Sequence, residues 1–160
     1  MLALGIDPGT ATTGYGLVLE LPDGSLQMVD YGVISTPKQD SGPTRLVQLY
    51  TEINDLLMRY HPETCGIEKL FFQRNVSTAI DVGQARGVVL LALAQAGLMI
   101  GEYTPNEVKQ AVTGYGAADK KQMQEMVRMI LSLEKIPKPD DAADALAIAI
   151  THLNTRRYSL

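Results

Sequence analysis

Cysteine and histidine are scarce in this chain. Of 160 residues, one is cysteine (Cys65) and two are histidine (His61 and His152). A lone cysteine excludes an intrachain disulfide, and its place in a short β-prone run marks it as a buried structural thiol. Without a Cys/His cluster, the usual zinc sites are excluded too. Long apolar runs are also missing, since none approaches the ~20 residues that span a bilayer. No basic segment precedes an apolar core at the N-terminus, so no secretory leader is expected. Internal repeats and low-complexity tracts are absent. These features together lead to the expectation of a cytoplasmic protein of one domain, residues 1–155, with a short tail at 156–160.

An excess of positive charge is missing as well. The formal net charge is -4, with 46% apolar and 20% charged residues. As a global property this opposes nucleic-acid binding. The distribution differs from the total. Between Lys69 and Arg128 there are seven bases and five acids, so the middle of the chain is mildly basic. A cluster of metal-binding carboxylates elsewhere would lower the formal charge without repelling a ligand that arrives with the metal.

The opening stretch, MLALGIDPGTATTGYG, organises the rest. An apolar run ends in Asp7, Pro8-Gly9 reads as a turn, and a second β-prone run begins near Gly14. Asp7 is thereby held at the end of a strand, although an Asp-Pro-Gly acid can also serve only its own turn. A hairpin turn at 21–25 and a third strand at 26–35, in which Gly32 is a candidate bulge, complete an antiparallel meander. Leu46, Leu49, Ile53, Leu56 and Leu57 then share one helical face. A short strand ends at Glu68, and a long helix covers about 75–96. A strand covers 98–103, a helix starts at 104–107 and ends before a loop at 113–118, and another helix covers 120–133. The last helix covers 140 to about 154. This β-β-β-α-β-α-β-α-α-α order implies an α/β protein with a mixed sheet and helices packed on it.

The acids at element ends form a pattern. If the strands ending at Asp7 and Glu68 are adjacent and parallel, the two carboxylates share one sheet edge, about 4.8 Å apart. Asp141 and Asp144 open the last helix at i and i+3, hence on one face. Capping explains Asp140 or Asp141. It does not explain Asp144, an acid beside an apolar surface with no Lys or Arg between 140 and 153 to pair with it. A metal answers this need. Four carboxylates form an all-oxygen site that suits Mg²⁺ or Mn²⁺. Two such ions can clamp the attacking and leaving oxygens of a phosphodiester. His152 lies three turns from Asp141, outside such a site. Just after Glu68, Lys69-Leu70-Phe71-Phe72-Gln73-Arg74 mixes cations with aromatics, a composition suited to phosphate contact and base stacking. The alternative for one of the two rings is a hydrophobic staple that anchors the next helix. Lys120 and Lys121 follow a Gly-Tyr-Gly loop that is either a second DNA contact or a plain connection.

Four blocks together resemble RuvC-type Holliday-junction resolvases: LGIDPGTATTGYG (4–16), GIEKLFFQRNVSTAIDVGQARGV (66–88), EVKQAVTGYGAADKKQM (107–123) and DDAADALAIAITH (140–152). The resemblance implies a ribonuclease-H-like fold with a mixed five-stranded sheet. It also implies a homodimer that makes paired symmetric nicks in four-way DNA junctions during recombination and repair, assisted by a branch-migration motor. It assigns Asp7, Glu68, Asp141 and Asp144 to metal binding, with two Mg²⁺ per subunit and Mn²⁺ as a substitute. Lys109 and Lys120 match basic residues near the scissile phosphate, and Phe71 matches a base-stacking aromatic. Some similar proteins have His at the place of Asp141, and many have a neutral polar residue at the place of Lys69. The small residues Gly83, Ala85, Gly87, Ala92, Ala94 and Ala96 of the long helix suit sheet packing, a dimer interface, or both.

Three other classes share part of this pattern. A sugar-kinase or actin-like ATPase also begins with strand, Asp, Gly and Thr, but needs two lobes around its nucleotide. A junction-binding protein that no longer cuts would not need all four acids. A ribonuclease-H-like enzyme acting on RNA would not need the blocks at 66–88 and 107–123.

Overall fold

The computed structural model describes residues 1–9, 11–69 and 76–157. Five strands and five helices are found among them. They are β1 Leu2–Asp7, β2 Thr12–Glu20, β3 Leu26–Ser35, α1 Gly42–Tyr60 and β4 Thr64–Glu68. There follow α2 Val76–Gln95, β5 Met99–Tyr103, α3 Pro105–Thr113, α4 Lys120–Ile130 and α5 Asp140–Arg157. The strands form one sheet in the order β3-β2-β1-β4-β5. β1 pairs antiparallel with β2 and parallel with β4, which in turn pairs parallel with β5.

Strand period assigns each side chain to a face. Leu4, Ile6, Leu17, Cys65 and Ile67 enter a core under α1 and α2, with Ile53, Val89 and Leu93. Ala3 and Val18 face the opposite core, where α5 lies against the sheet and α3 and α4 close over it. Burial pushes the Cys65 thiol pKa far up, which keeps it an inert core group.

The α5 face of the sheet has glycines where the helix crosses. Gly16, Gly5, Gly66 and Gly101 stand in register across four strands. A Cβ on Gly5 would lie 2.1 Å from the Ala145 carbonyl oxygen, and one on Gly16 would lie 2.8 Å from the Leu146 nitrogen. On the next row, a Cβ on Gly14 would lie 2.0 Å from the Asp141 carbonyl oxygen. The α5 backbone therefore rests on strand backbone. Farther along α5, His152 is buried and bridges two strands. Thr64 Oγ1 donates to the Met99 carbonyl at 3.1 Å, so His152 Nε2 is the donor in its 2.6 Å bond with Thr64. The Tyr103 hydroxyl then donates to His152 Nδ1 at 2.8 Å. Burial lowers the His152 pKa to about 4 and keeps the ring neutral.

Three sequence expectations change. The irregularity in β3 is not at Gly32. Leu17 pairs with Asp30 and Val18 with Met28, so Val29 is the extra residue. Gly32 instead leaves room for Tyr15, whose hydroxyl would be 2.8 Å from an added Cβ. The final helix runs beyond 154 to Arg157, and residues 158–160 lie outside the described part. A segment of membrane-spanning length does exist: α2 has 20 residues and is apolar enough by composition, despite Asp81 and Arg86. One of its faces belongs to the core through Ala85, Val89, Ala92 and Leu93.

The glycine contacts make a direct stability prediction. Gly5→Ala should lower the urea midpoint by the equivalent of about 1–3 kcal/mol, because α5 must lift off the sheet. At Gly42, an added Cβ meets nothing within 4 Å. Gly42→Ala should leave the midpoint unchanged or raise it by ~0.4–1 kcal/mol.

Candidate active site

The tripeptides Gly5-Ile6-Asp7 and Gly66-Ile67-Glu68 pair in parallel register. In each, glycine faces α5, isoleucine enters the opposite core, and the period of two returns the acid to the α5 side. The first turn of α5 crosses just there, because Gly14 lets its backbone approach β2. Asp7, Asp141 and Asp144 consequently offer ligand oxygens that all lie within 4.8 Å of one another. Glu68 stands beside Asp7, and the two carboxyl groups hydrogen-bond each other.

The electrostatics follow from this crowding. Asp7 is raised to about 8, first by burial and then by the charge of Glu68. Glu68 is raised as well, again chiefly by burial. Asp144 is raised to about 6 by burial, then by the charge of Asp7. Buried carboxylates at this spacing resist simultaneous ionisation unless positive charge joins them. The donors are oxygens only, with no Cys or His in the group, and they fit a hard divalent cation.

Capping does not account for the acids that open α5. Asp140 pairs with Lys120 Nζ at 3.0 Å and accepts from Gln124 Nε2 at 3.0 Å. Asp141 Oδ2 accepts from Thr12 Oγ1 at 2.6 Å. Lys120 is the first residue of α4, after an Asp119 and Gln122 capping box. Its pKa is raised by the hydrogen bond to Asp140 and by the field of Asp144. Lys109 projects from α3, which begins with a Thr104 and Glu107 capping box. Lys109 and Lys120 line one cavity of about 240 Å³ together with Glu68 and Asp144.

The remaining sequence candidates are placed differently. Lys69 is exposed just past β4, where its charge acts on Glu107, and its amide donates to the Tyr103 carbonyl at 2.8 Å. Lys121 is exposed on α4 and acts on Glu125 rather than on the acids. Phe71, Phe72 and Arg74 lie outside the described residues.

Two residues near the acids escaped sequence reasoning. Thr12 is one, in contact with Asp141. The other is Arg86, whose Nε donates to the Glu68 carbonyl at 3.2 Å while its guanidinium pairs with Glu102. Arg86 thus ties the end of β4 to α2 and β5. Thr12 shares the strand period of Gly14 and Gly16 and so faces α5, which was the available signal. Nothing local marked Arg86, which is 18 residues from Glu68.

Known proteins resemble this chain in sequence and fold. Residues 3–152 match the family described as crossover junction endodeoxyribonuclease RuvC. A RuvC from Chloroflexus aurantiacus is 59% identical over 155 residues, covering 97% of this chain and 94% of that protein. The structure of Thermus thermophilus RuvC superposes with a TM-score of 0.92 at 37% identity, covering 99% of this chain and 97% of that one. The same protein in complex with a Holliday junction substrate gives a TM-score of 0.94 at 37% identity, covering 99% and 96%. The fold is therefore the ribonuclease-H-like one, and the kinase-like reading of the first hairpin is set aside. With sequence and superposed fold in agreement, the chain belongs to the RuvC family of crossover junction endodeoxyribonucleases.

Proposed function

We propose that this chain resolves four-way DNA junctions by metal-dependent hydrolysis of phosphodiesters at symmetric positions. The observation that carries this reading is the convergence of Asp7, Asp141 and Asp144 beside a cavity that holds both Lys109 and Lys120. Family membership supplies the substrate class.

Asp7, Glu68, Asp141 and Asp144 are the residues that would hold the metal. Two Mg²⁺ ions per subunit are the cofactors we infer, with Mn²⁺ able to replace them. When bound, such cations lower the pKa of water and neutralise charge on a phosphate. The protein's own groups do the rest. Lys109 and Lys120 present ammonium groups to the phosphate from the lining they share with Glu68 and Asp144. An ammonium has three donors, so Lys120 can keep Asp140 and still reach a phosphate oxygen. Thr12 fixes the orientation of Asp141. Arg86 holds the chain at Glu68, where β4 ends. We assign further DNA contacts to Lys69, Lys121, Arg74 and one of Phe71 and Phe72.

A four-way junction has two-fold symmetry, and a homodimer would match it. The face of α2 away from the core supports this assembly. Val76, Ile80 and Leu91 are exposed there, and Gly87 adds open space on the same helix. A second copy of α2 is the occupant we infer for that face. Work on chromosomal junctions would take place in the cytoplasm beside a branch-migration motor.

The deciding experiment uses a synthetic junction with one strand end-labelled, with Mg²⁺, with EDTA, and beside a linear duplex of the same sequence. Symmetric nicks should appear only in the junction and only with metal. Tight junction binding without nicks in either Mg²⁺ or Mn²⁺ would overturn the reading. Asp7→Asn should reduce cutting by about 10²-fold or more while leaving junction binding in place.

The raised acids predict a pH dependence with a definite sign. Folded Asp7 and Asp144 have pKa values of about 8 and about 6, above the ordinary 3.8. Between these limits the native state binds more protons than the unfolded state, so stability falls as pH rises. Metal-free protein should therefore melt at a higher temperature near pH 5 than near pH 8. Divalent cation should restore stability most at the higher pH, where it displaces fewest protons. A melting temperature that rises across this range without metal would contradict the electrostatics.

Thr12 supplies a separate test. Thr12→Val keeps the shape and removes the donor to Asp141. Calorimetry should show metal affinity reduced by roughly 10–100-fold, with Thr12→Ser recovering most of it.

A further inference from the structure

The cavity beside the acids is lined by residues of two chemical kinds. Glu68, Asp144, Lys109 and Lys120 are charged, whereas Pro105, Val108, Met123, Ala147 and Ile148 are apolar. Met123 on α4 and Ile148 on α5 each stand about one helical turn past a charged liner, Lys120 and Asp144, and with Val108 of α3 they make up an apolar wall. Val108 and Ile148 are buried core residues, and Met123 packs partly buried against the same cluster. A nucleotide is divided in the same way: its phosphate is anionic, and the 2′-carbon of its deoxyribose presents only C–H groups. The volume of about 240 Å³ suits a sugar with its phosphate.

We propose that this apolar wall is a deoxyribose pocket for the nucleotide next to the scissile phosphate, and that Val108 and Met123 select deoxyribose over ribose there. The inference rests on the resolvase reading and adds a sugar-selecting site to it. Charge fixes the orientation. The phosphate belongs with the lysines and the cation-binding acids, so the attached sugar faces the apolar wall. A 2′-hydroxyl brought to that wall gives up its water. Valine, methionine and isoleucine side chains return no normal hydrogen bond. The helical backbone of α3, α4 and α5 behind them is committed to its own hydrogen bonds. The acids are engaged with cation and the lysines with phosphate, so neither is free to accept or donate to the hydroxyl. Discrimination of this kind acts on the sugar whatever the base.

The experiment uses the full chain and four synthetic junctions of one sequence. One is all-deoxy. Two carry a single ribonucleotide, on one or the other side of the scissile phosphate. The fourth carries a 2′-fluoro sugar at whichever of these positions slows cutting. One ribonucleotide position should cut about 10–100-fold more slowly than the all-deoxy junction. The 2′-fluoro sugar, which favours a ribose-like pucker but needs no donor partner, should stay near the all-deoxy rate. Val108→Thr and Met123→Gln each place a polar partner in the wall. Either should lower the ratio of all-deoxy to ribonucleotide cutting.

Equal cutting of all junctions by the unaltered protein would overturn the pocket while leaving the resolvase reading intact. So would a 2′-fluoro sugar as slow as ribose, which would assign the effect to pucker. A ratio unmoved by either folded variant, or variants that shift base preference in place of sugar preference, would also overturn it. An uncut all-deoxy junction would remove the resolvase reading and this inference together.

Discussion

The contact on which the structure depends is backbone on backbone. Helix α5 lies against the sheet where Gly5, Gly14, Gly16 and Gly66 supply no Cβ. Such closeness needs glycine in the sheet; above it α5 sets Ala145 and Ala149 over Gly5 and Ala142 beside Gly14, all fully buried, while Leu146 lies over Gly16 and Ile148 over Gly66. A helix held at ordinary sheet distance would carry Asp141 and Asp144 away from Asp7. The glycines thus set the spacing of the carboxylates, although none of them does chemistry. His152 steadies the same helix farther along by joining Thr64 and Tyr103 across two strands.

That closeness has an electrostatic consequence. Asp7, Glu68 and Asp144 are all held above their ordinary pKa values, with burial as the first cause and neighbouring acids as the next. Folding concentrates negative charge where water cannot fully solvate it. A site of this kind costs stability when empty and gains it when a cation enters. Its rigidity comes from elements that are secure on other grounds. The acids of the sheet end strands whose neighbours, Ile6 and Ile67, are fully buried. The acids of α5 open a helix that is buried over most of its length.

The net charge of -4 and an affinity for DNA are compatible in this arrangement. Asp7, Asp141 and Asp144 turn their negative charge toward one another, in a group that could hold a cation. Lys109 and Lys120 line the cavity next to Asp144, so positive charge stands beside the acids. Lys120 is held by Asp140, which also accepts from Gln124, so this acid at the start of α5 positions a lysine without joining the cluster.

The four acids were legible in sequence because each falls at an element boundary set by short-range pattern. Asp7 and Glu68 end apolar strands, and Asp141 and Asp144 share a helical face. The sequence of strands and helices along the chain and the burial of Cys65 followed from the same local periods. The bulge at Val29 did not, because it depends on how β2 and β3 pair rather than on either strand alone. Thr12 and Arg86 could not be assigned from sequence for a similar reason. Their partners are 129 and 18 residues away. Periodicity determines which face a residue occupies, and so it placed the acids on the correct edges. Only the tertiary structure decided which faces meet, how closely α5 approaches the sheet, and which neutral residues touch the acids. Those are long-range contacts, set by backbone approach and packing that no local pattern encodes.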